Sequence, residues 1–242
     1  MNARLWIWLG ILLICTAQTV TAELEKSAKP QLLVESAQLQ EQMRDSNLRI
    51  IDVRSSNEYS QGHIPGAVHV DVGEWKTLAT ADGGLHDAKR WAKKVGSLGI
   101  TENTHVVVYG DRLSNTARIW WLLKYLGVSN ASILNGGWQW WTKKDRPIET
   151  STPQVRVTEF KPKLQADRLA EIDSVKKTIK AEKVKVVDTR SDSEFAGGRI
   201  PESVHLEWTH LVAEDGRFKT KSQLQELFRK HGILQSETAV CY

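Results

Sequence analysis

Cys15 and Cys241 are the only thiols among 242 residues, and a thiolate is the strongest nucleophile and softest metal ligand a protein carries. No Cys-x-x-Cys or His-Glu-x-x-His spacing accompanies them, so no metal site is expected. Charged residues that could do acid–base work recur in two sets at one spacing: Asp52, Arg54 and Glu58, then Asp188, Arg190 and Glu194. An aspartate ending a buried strand can pair with an arginine two residues on, or with nearby backbone, and so organise a turn. These six are therefore expected to be architectural. His63 could serve as a base or ligand, but Arg199 stands at the matching place in the second set, which argues against a shared metal. Trp138, Trp140 and Trp141 are expected to pack.

The thiols differ in context. Arg4 precedes the apolar run Leu5 to Ile14, and Val20-Thr21-Ala22 offers small residues where a signal peptidase cuts, so residues 1–22 are expected to be a signal peptide. Ten apolar residues are too few to span about 30 Å of bilayer, so no stable membrane span is expected once the signal is removed. Ile14 in front of Cys15 argues against a lipoprotein signal. A periplasmic or secreted protein is the expectation, with Cys241 as its one thiol and no internal disulfide. The formal charge of +4 is small and its lysines and arginines are scattered, so no nucleic-acid partner is expected.

The two charged sets belong to an internal repeat. Ile51-Asp52-Val53-Arg54 through Tyr59 matches Val187-Asp188-Thr189-Arg190 through Phe195, an offset of 136 residues. Gly62-His63-Ile64-Pro65 then matches Gly198-Arg199-Ile200-Pro201, and Val68-His69-Val70 matches Val204-His205-Leu206. After a three-residue deletion Trp75 meets Trp208, Leu78 meets Leu211, and Gly99-Ile100 meets Gly232-Ile233, an offset of 133. Between the copies the stretch 147–162 holds three prolines and reads as a linker.

Helix and strand alternate in copy one. Ser36 is expected to cap a helix to about Arg44, with strands at 49–53, 67–70, 105–109 and 131–134 and helices at 88–98 and 115–126. The run His105-Val106-Val107-Val108-Tyr109 is too continuously apolar to face water on one side, which indicates a parallel sheet covered on both faces. Copy two begins alike, with Asp173 expected to cap a helix and a strand at 184–188.

These residues resemble the rhodanese family. The signature Asp-x-Arg-x-x-x-Glu-Tyr/Phe followed by Gly-His-Ile-Pro-Gly-Ala is complete from Asp52 to Ala67. Val106 to Tyr109 and Leu134-Asn135-Gly136-Gly137-Trp138 look like later strand ends of the two-domain thiosulfate and mercaptopyruvate sulfurtransferases. The resemblance implies an α/β fold of two rhodanese-like domains, each a parallel sheet flanked by helices on both faces, the second incomplete. It divides the chain into residues 31–150, a non-catalytic first domain, a linker at 151–165, and a second domain at 166–242 without its catalytic loop. The implied activity carries sulfane sulfur on a cysteine persulfide, from a small-molecule donor such as thiosulfate to a thiophilic acceptor, with no metal or organic cofactor.

The family places its cysteine first in the loop after the central strand. Backbone N–H groups converging there, backed by a helix N-terminus, lower a thiol pKa and hold an anionic persulfide. Copy one has Gly110 at that seat, so it has the cup without the nucleophile. In copy two the ungapped repeat sets Tyr242 on Tyr109 and Cys241 on Val108, which makes Cys241 a buried strand residue and puts the nucleophile at the position after Tyr242, outside the chain. The chain is accordingly expected to be a piece cut just before its active-site loop. A register shifted by two would instead make Cys241 the nucleophile. A non-catalytic binding module and a tyrosine-phosphatase relative are the rival readings. Copy two also departs from the signature, with Glu202-Ser203 for Gly-Ala, Glu194 where the larger enzymes carry arginine, and only Ala196 and Gly197 before the turn.

Overall fold

The structure is a computed structural model and describes residues 31–242 apart from 180 and 182. The expected signal peptide and Cys15 lie outside the described residues. No helix among the described residues is long and apolar enough to cross a membrane.

Copy one is a five-stranded, all-parallel sheet in the order β1-β5-β4-β2-β3. Its strands are β1 (Leu33–Val34), β2 (Leu48–Asp52), β3 (Val68–His69), β4 (His105–Tyr109) and β5 (Ala131–Leu134). Parallel neighbours need crossovers, and these are helical: α1 (Ser36–Gln42), α2 (Ser56–Gln61), α3 (Val72–Thr80), α4 (Ala88–Gly96) and α5 (Leu113–Tyr125), with α6 (Gly137–Lys143) after β5.

The period of two in a strand sends alternate side chains to opposite faces. Ile51, Val106 and Val108 pack with Trp75, Trp91, Ile119 and Leu122 on one face. Ile50, Val107 and Tyr109 pack with Leu39, Ile64, Leu134 and Trp141 on the other. Full burial of a side chain of this size contributes about 1.5–3 kcal/mol, so β4, with four buried residues, anchors both layers.

Copy two repeats the centre of this sheet. Strands β6 (Val184–Asp188), β7 (Val204–His205) and β8 (Thr238–Cys241) form a parallel sheet in the order β7-β6-β8. Helices α7 (Ile172–Thr178), α8 (Asp192–Gly197) and α9 (Lys221–Lys230) accompany it. Val186, Val187 and Leu206 are its buried apolar residues among those described, whereas β8 is mostly exposed.

Three expectations need correction. Glu35, with extended backbone, precedes α1, and Ser36 lies inside it, buried and not capping, because β1 runs directly into the helix. Glu171 likewise precedes α7, so Asp173 falls in the first turn and makes no cap. The proline-bearing stretch is no free tether. Thr158 and Lys163 donate backbone hydrogen bonds to Gly96 and Leu126, and Phe160 is buried in the core of copy one. The buried Phe160 ring fastens the stretch to that copy.

Candidate functional site

Both signature sets form the same local device. In copy one the Arg54 guanidinium grips Asp52, with Nη2 2.6 Å from Oδ2, and the Arg54 backbone N–H donates to Oδ1 at 2.9 Å. Nη2 also donates to the Gly62 carbonyl at 2.7 Å, which ties the strand end to the turn before His63. In copy two Arg190 makes the corresponding bonds to Asp188 and to the Gly198 carbonyl. Glu58 and Glu194 close capping boxes with Ser55 and Ser191, each carboxylate held below its usual range by the serine side chain. The six residues thus bond to the frame of the turn in both copies.

The environments differ between copies. Asp52 and Arg54 are both buried, so neither charge could lose its partner without being stranded in low dielectric. Asp188 is buried too, but the Arg190 side chain is 34% exposed. The hydrogen bond from Arg190 holds Asp188 far below the ordinary carboxylate range.

Three roles escaped the sequence reading. The Tyr109 hydroxyl donates to Asp52 Oδ2 at 2.6 Å and accepts the Ile64 N–H at 3.0 Å, so one side chain spans from the signature to the Gly-His-Ile turn. His69 and His205 contact the carbonyls of Arg54 and Arg190, and each stacks or tilts against the aromatic of its own signature. Trp138 lies 3.8 Å from the Arg54 guanidinium. Tyr109 pairs with Tyr242, and His69 with His205, so identical residues at repeat positions were the available signal. His63 itself is buried, stacked on Tyr59 at 3.9 Å and bonded to the Tyr59 carbonyl. Among the described residues no cluster of three His, Cys, Asp or Glu is placed to hold a metal ion.

Beyond β4 the backbone passes through Gly110, Asp111 and Arg112 into α5, whose N-cap Arg112 gives no side-chain cap. Gly110 accepts the Trp138 N–H at 3.0 Å. A Cβ added at Gly110 would stand 2.8 Å from Val53 Cγ2 and 2.9 Å from Thr116 Oγ1, closer than side chains tolerate. The seat in copy one is therefore filled by its walls.

The strand registers place the second thiol. Ile51 pairs with Val108 across β2 and β4, and Val187 pairs with Cys241 across β6 and β8. Tyr242 continues the ladder: its carbonyl accepts the Thr189 N–H at 3.0 Å, as the Tyr109 carbonyl accepts that of Val53. Cys241 thus stands where Val108 stands. It is exposed along β8, not buried as expected. Exposure governs access to the residue, while the protein crowding its thiol desolvates the charged form and raises its pKa above the ordinary value. That is the reverse of an activated nucleophile.

The model of the rhodanese-like domain matches residues 35–144 and 171–242. This chain belongs to the rhodanese-like domain family. It is 30% identical over 219 residues to a thiosulfate sulfurtransferase of Gallus gallus, covering 81% of this chain and 76% of that one. It is 29% identical over 239 residues to the sulfur carrier protein TtuD of Thermus thermophilus, covering 89% and 83%. Among solved structures it resembles SseA of Escherichia coli, a 3-mercaptopyruvate sulfotransferase by its description, with a TM-score of 0.78, 27% identity and 87% of each chain covered. The first matched segment holds β2 to β5 and the second holds β6 to β8.

Proposed function

We propose that this rhodanese-family chain is a sulfurtransferase that moves sulfane sulfur from thiosulfate or a related donor to a thiophilic acceptor, through a cysteine persulfide carried by copy two. The observation that carries the reading is the register of Tyr242 on Tyr109. The position following Tyr242 is then the counterpart of Gly110, the first residue of the loop between β4 and α5. The sulfurtransferase and sulfur-carrier names of the relatives support the same chemistry.

A thiolate there attacks the outer sulfur of thiosulfate. A new S–S bond forms, the old one breaks, and sulfite leaves with its electron pair. An acceptor thiolate or cyanide next attacks the terminal sulfur of the persulfide, and the cysteine thiolate leaves. No proton or electron is gained or lost overall. Cys241, with its raised thiol pKa, is the poorer candidate for the nucleophile.

The test is a persulfide assay on the full-length protein. Thiosulfate should add one sulfur atom to a cysteine directly after Tyr242, seen by peptide mass, and cyanide should remove it as thiocyanate. A residue other than cysteine at that place, or a persulfide on Cys241, overturns the assignment. We also propose that the protein acts outside the cytoplasm after cleavage behind Ala22. A mature N-terminus other than Glu23 in the exported fraction refutes that.

A further inference from the structure

Against the Gly110 loop of copy one lies a hairpin of copy two. Residues 211–219 fold back on themselves, with Ala213 N–H donating to Arg217 O, Lys219 N–H to Leu211 O, and Val212 bridged to Phe218. Trp208, Val212 and Phe218 of this region face Gly110, Arg112 and Gly137 across a cavity of about 200 Å³.

Two contacts fasten the hairpin to the Asn135-Gly136-Gly137 turn. Phe218 N–H donates at 2.9 Å to Oδ1 of Asn135, a buried side chain whose Nδ2 donates to Glu35. The Arg217 guanidinium lies 4.3 Å from the Trp140 ring, and Asp215 fixes it from below at 2.9 Å. Gly136, at φ +80°, permits the approach. A Cβ there would stand 2.5 Å from Trp140 Cβ and 2.9 Å from Arg217 Cγ.

The arrangement is one-sided. At the offset of 133, Asp82-Gly83-Gly84-Leu85 of copy one matches Asp215-Gly216-Arg217-Phe218. The place of Arg217 is held by Gly84, where a Cβ would fall 2.2 Å from the Leu78 carbonyl. Copy one cannot offer the same arginine in return.

We infer that the Gly110 loop and the Asn135-Gly136-Gly137 turn of copy one form a docking socket for copy two, latched by Arg217 on Trp140 and by Phe218 on Asn135. The glycine seat and the glycine turn, which carry no sulfur chemistry, are the surface on which the second copy is held. The inference rests on these contacts and not on the sulfur-transfer reading.

Amide hydrogen exchange on the full chain tests it. Two amides report on the socket: that of Phe218, donated to Asn135, and that of Trp138, donated to Gly110. Two others report on the cores: Val53, donated to Tyr109, and Leu206, donated to Asp188. Arg217→Glu should speed exchange at both socket amides about two- to fivefold, the worth of an exposed cation–ring contact. Trp140→Ala should do the same, the double variant should add nothing, and Arg217→Lys should retain most of the protection. The core amides should not change. Faster exchange confined to the substituted copy, unchanged socket amides, or a matching rise at the core amides would each overturn the latch.

Discussion

Tyr242 stands in copy two where Tyr109 stands in copy one, each hydroxyl accepting the N–H of the isoleucine in its Ile-Pro turn, Ile200 and Ile64. Tyr109 is buried and also donates to Asp52, and burial raises its own pKa. Tyr109→Phe strands the Ile64 N–H and removes a donor from a buried carboxylate, at a cost of about 1–3 kcal/mol. Tyr242 is half-buried, so water can substitute and Tyr242→Phe should cost less than about 1 kcal/mol. Urea midpoints at constant slope measure both. Equal losses would show that the two tyrosines do not differ in burial as described.

Asp188 makes copy two acid-sensitive in a definite window. Its folded pKa is depressed, first of all by the Arg190 hydrogen bond. An unfolded aspartate titrates near 3.9. A depressed carboxylate contributes stability above the unfolded value and loses it as pH falls toward the folded one. Melting temperature should therefore drop from about pH 4 downward, and Asp188→Asn should flatten that slope while lowering stability at neutral pH. An unchanged acid slope in the variant would remove Asp188 as its source.

What was legible in the sequence was what is local in it. Asp52 with Arg54 and Asp188 with Arg190 are two residues apart, so spacing exposed their pairing, whereas Glu58 and Glu194 were read only as architectural and their capping boxes emerged in the structure. Strand β4 falls where its continuous apolar run placed it, and β5 and β6 have the bounds expected of them. The hidden part was set by tertiary partners. Asn135 meets Phe218 across 83 residues, Phe160 is buried because a core lies beneath it, and the exposure of Cys241 depends on what covers β8. No periodicity encodes these.

Cys241 should be reachable but sluggish. The residue is exposed, so a small alkylating reagent has access, yet its raised pKa leaves little thiolate at neutral pH. Iodoacetamide should modify it more slowly at pH 7 than a free cysteine whose pKa is about 8.5, and the gap should close only as pH rises past the higher pKa of Cys241. Alkylation faster than the free thiol would instead mark an activated cysteine.

Glu202 carries backbone strain that its counterpart avoids. Gly66 adopts φ +77° in the Ile-Pro turn of copy one, and Glu202 is forced to φ +64° at the matching place. A side chain in the left-handed region costs roughly 1–2 kcal/mol, which the greater unfolded-state freedom of glycine partly offsets. Glu202→Gly should raise stability by about 0.5–1 kcal/mol, read as a higher denaturation midpoint. A neutral or destabilising result would mean that the turn relaxes around the glutamate.

A cysteine placed at the Gly110 position of copy one should not become a persulfide site. Gly110→Cys puts a Cβ against Val53 and Thr116, and overpacking of this kind costs about 1–3 kcal/mol. The Gly110 carbonyl already holds the Trp138 N–H, so the loop cannot shift outward without breaking that bond. Destabilisation without any persulfide on the new thiol is expected, measured by denaturation and by peptide mass after thiosulfate treatment. Persulfide formed at position 110 would show that Val53 and Thr116 yield to the new side chain.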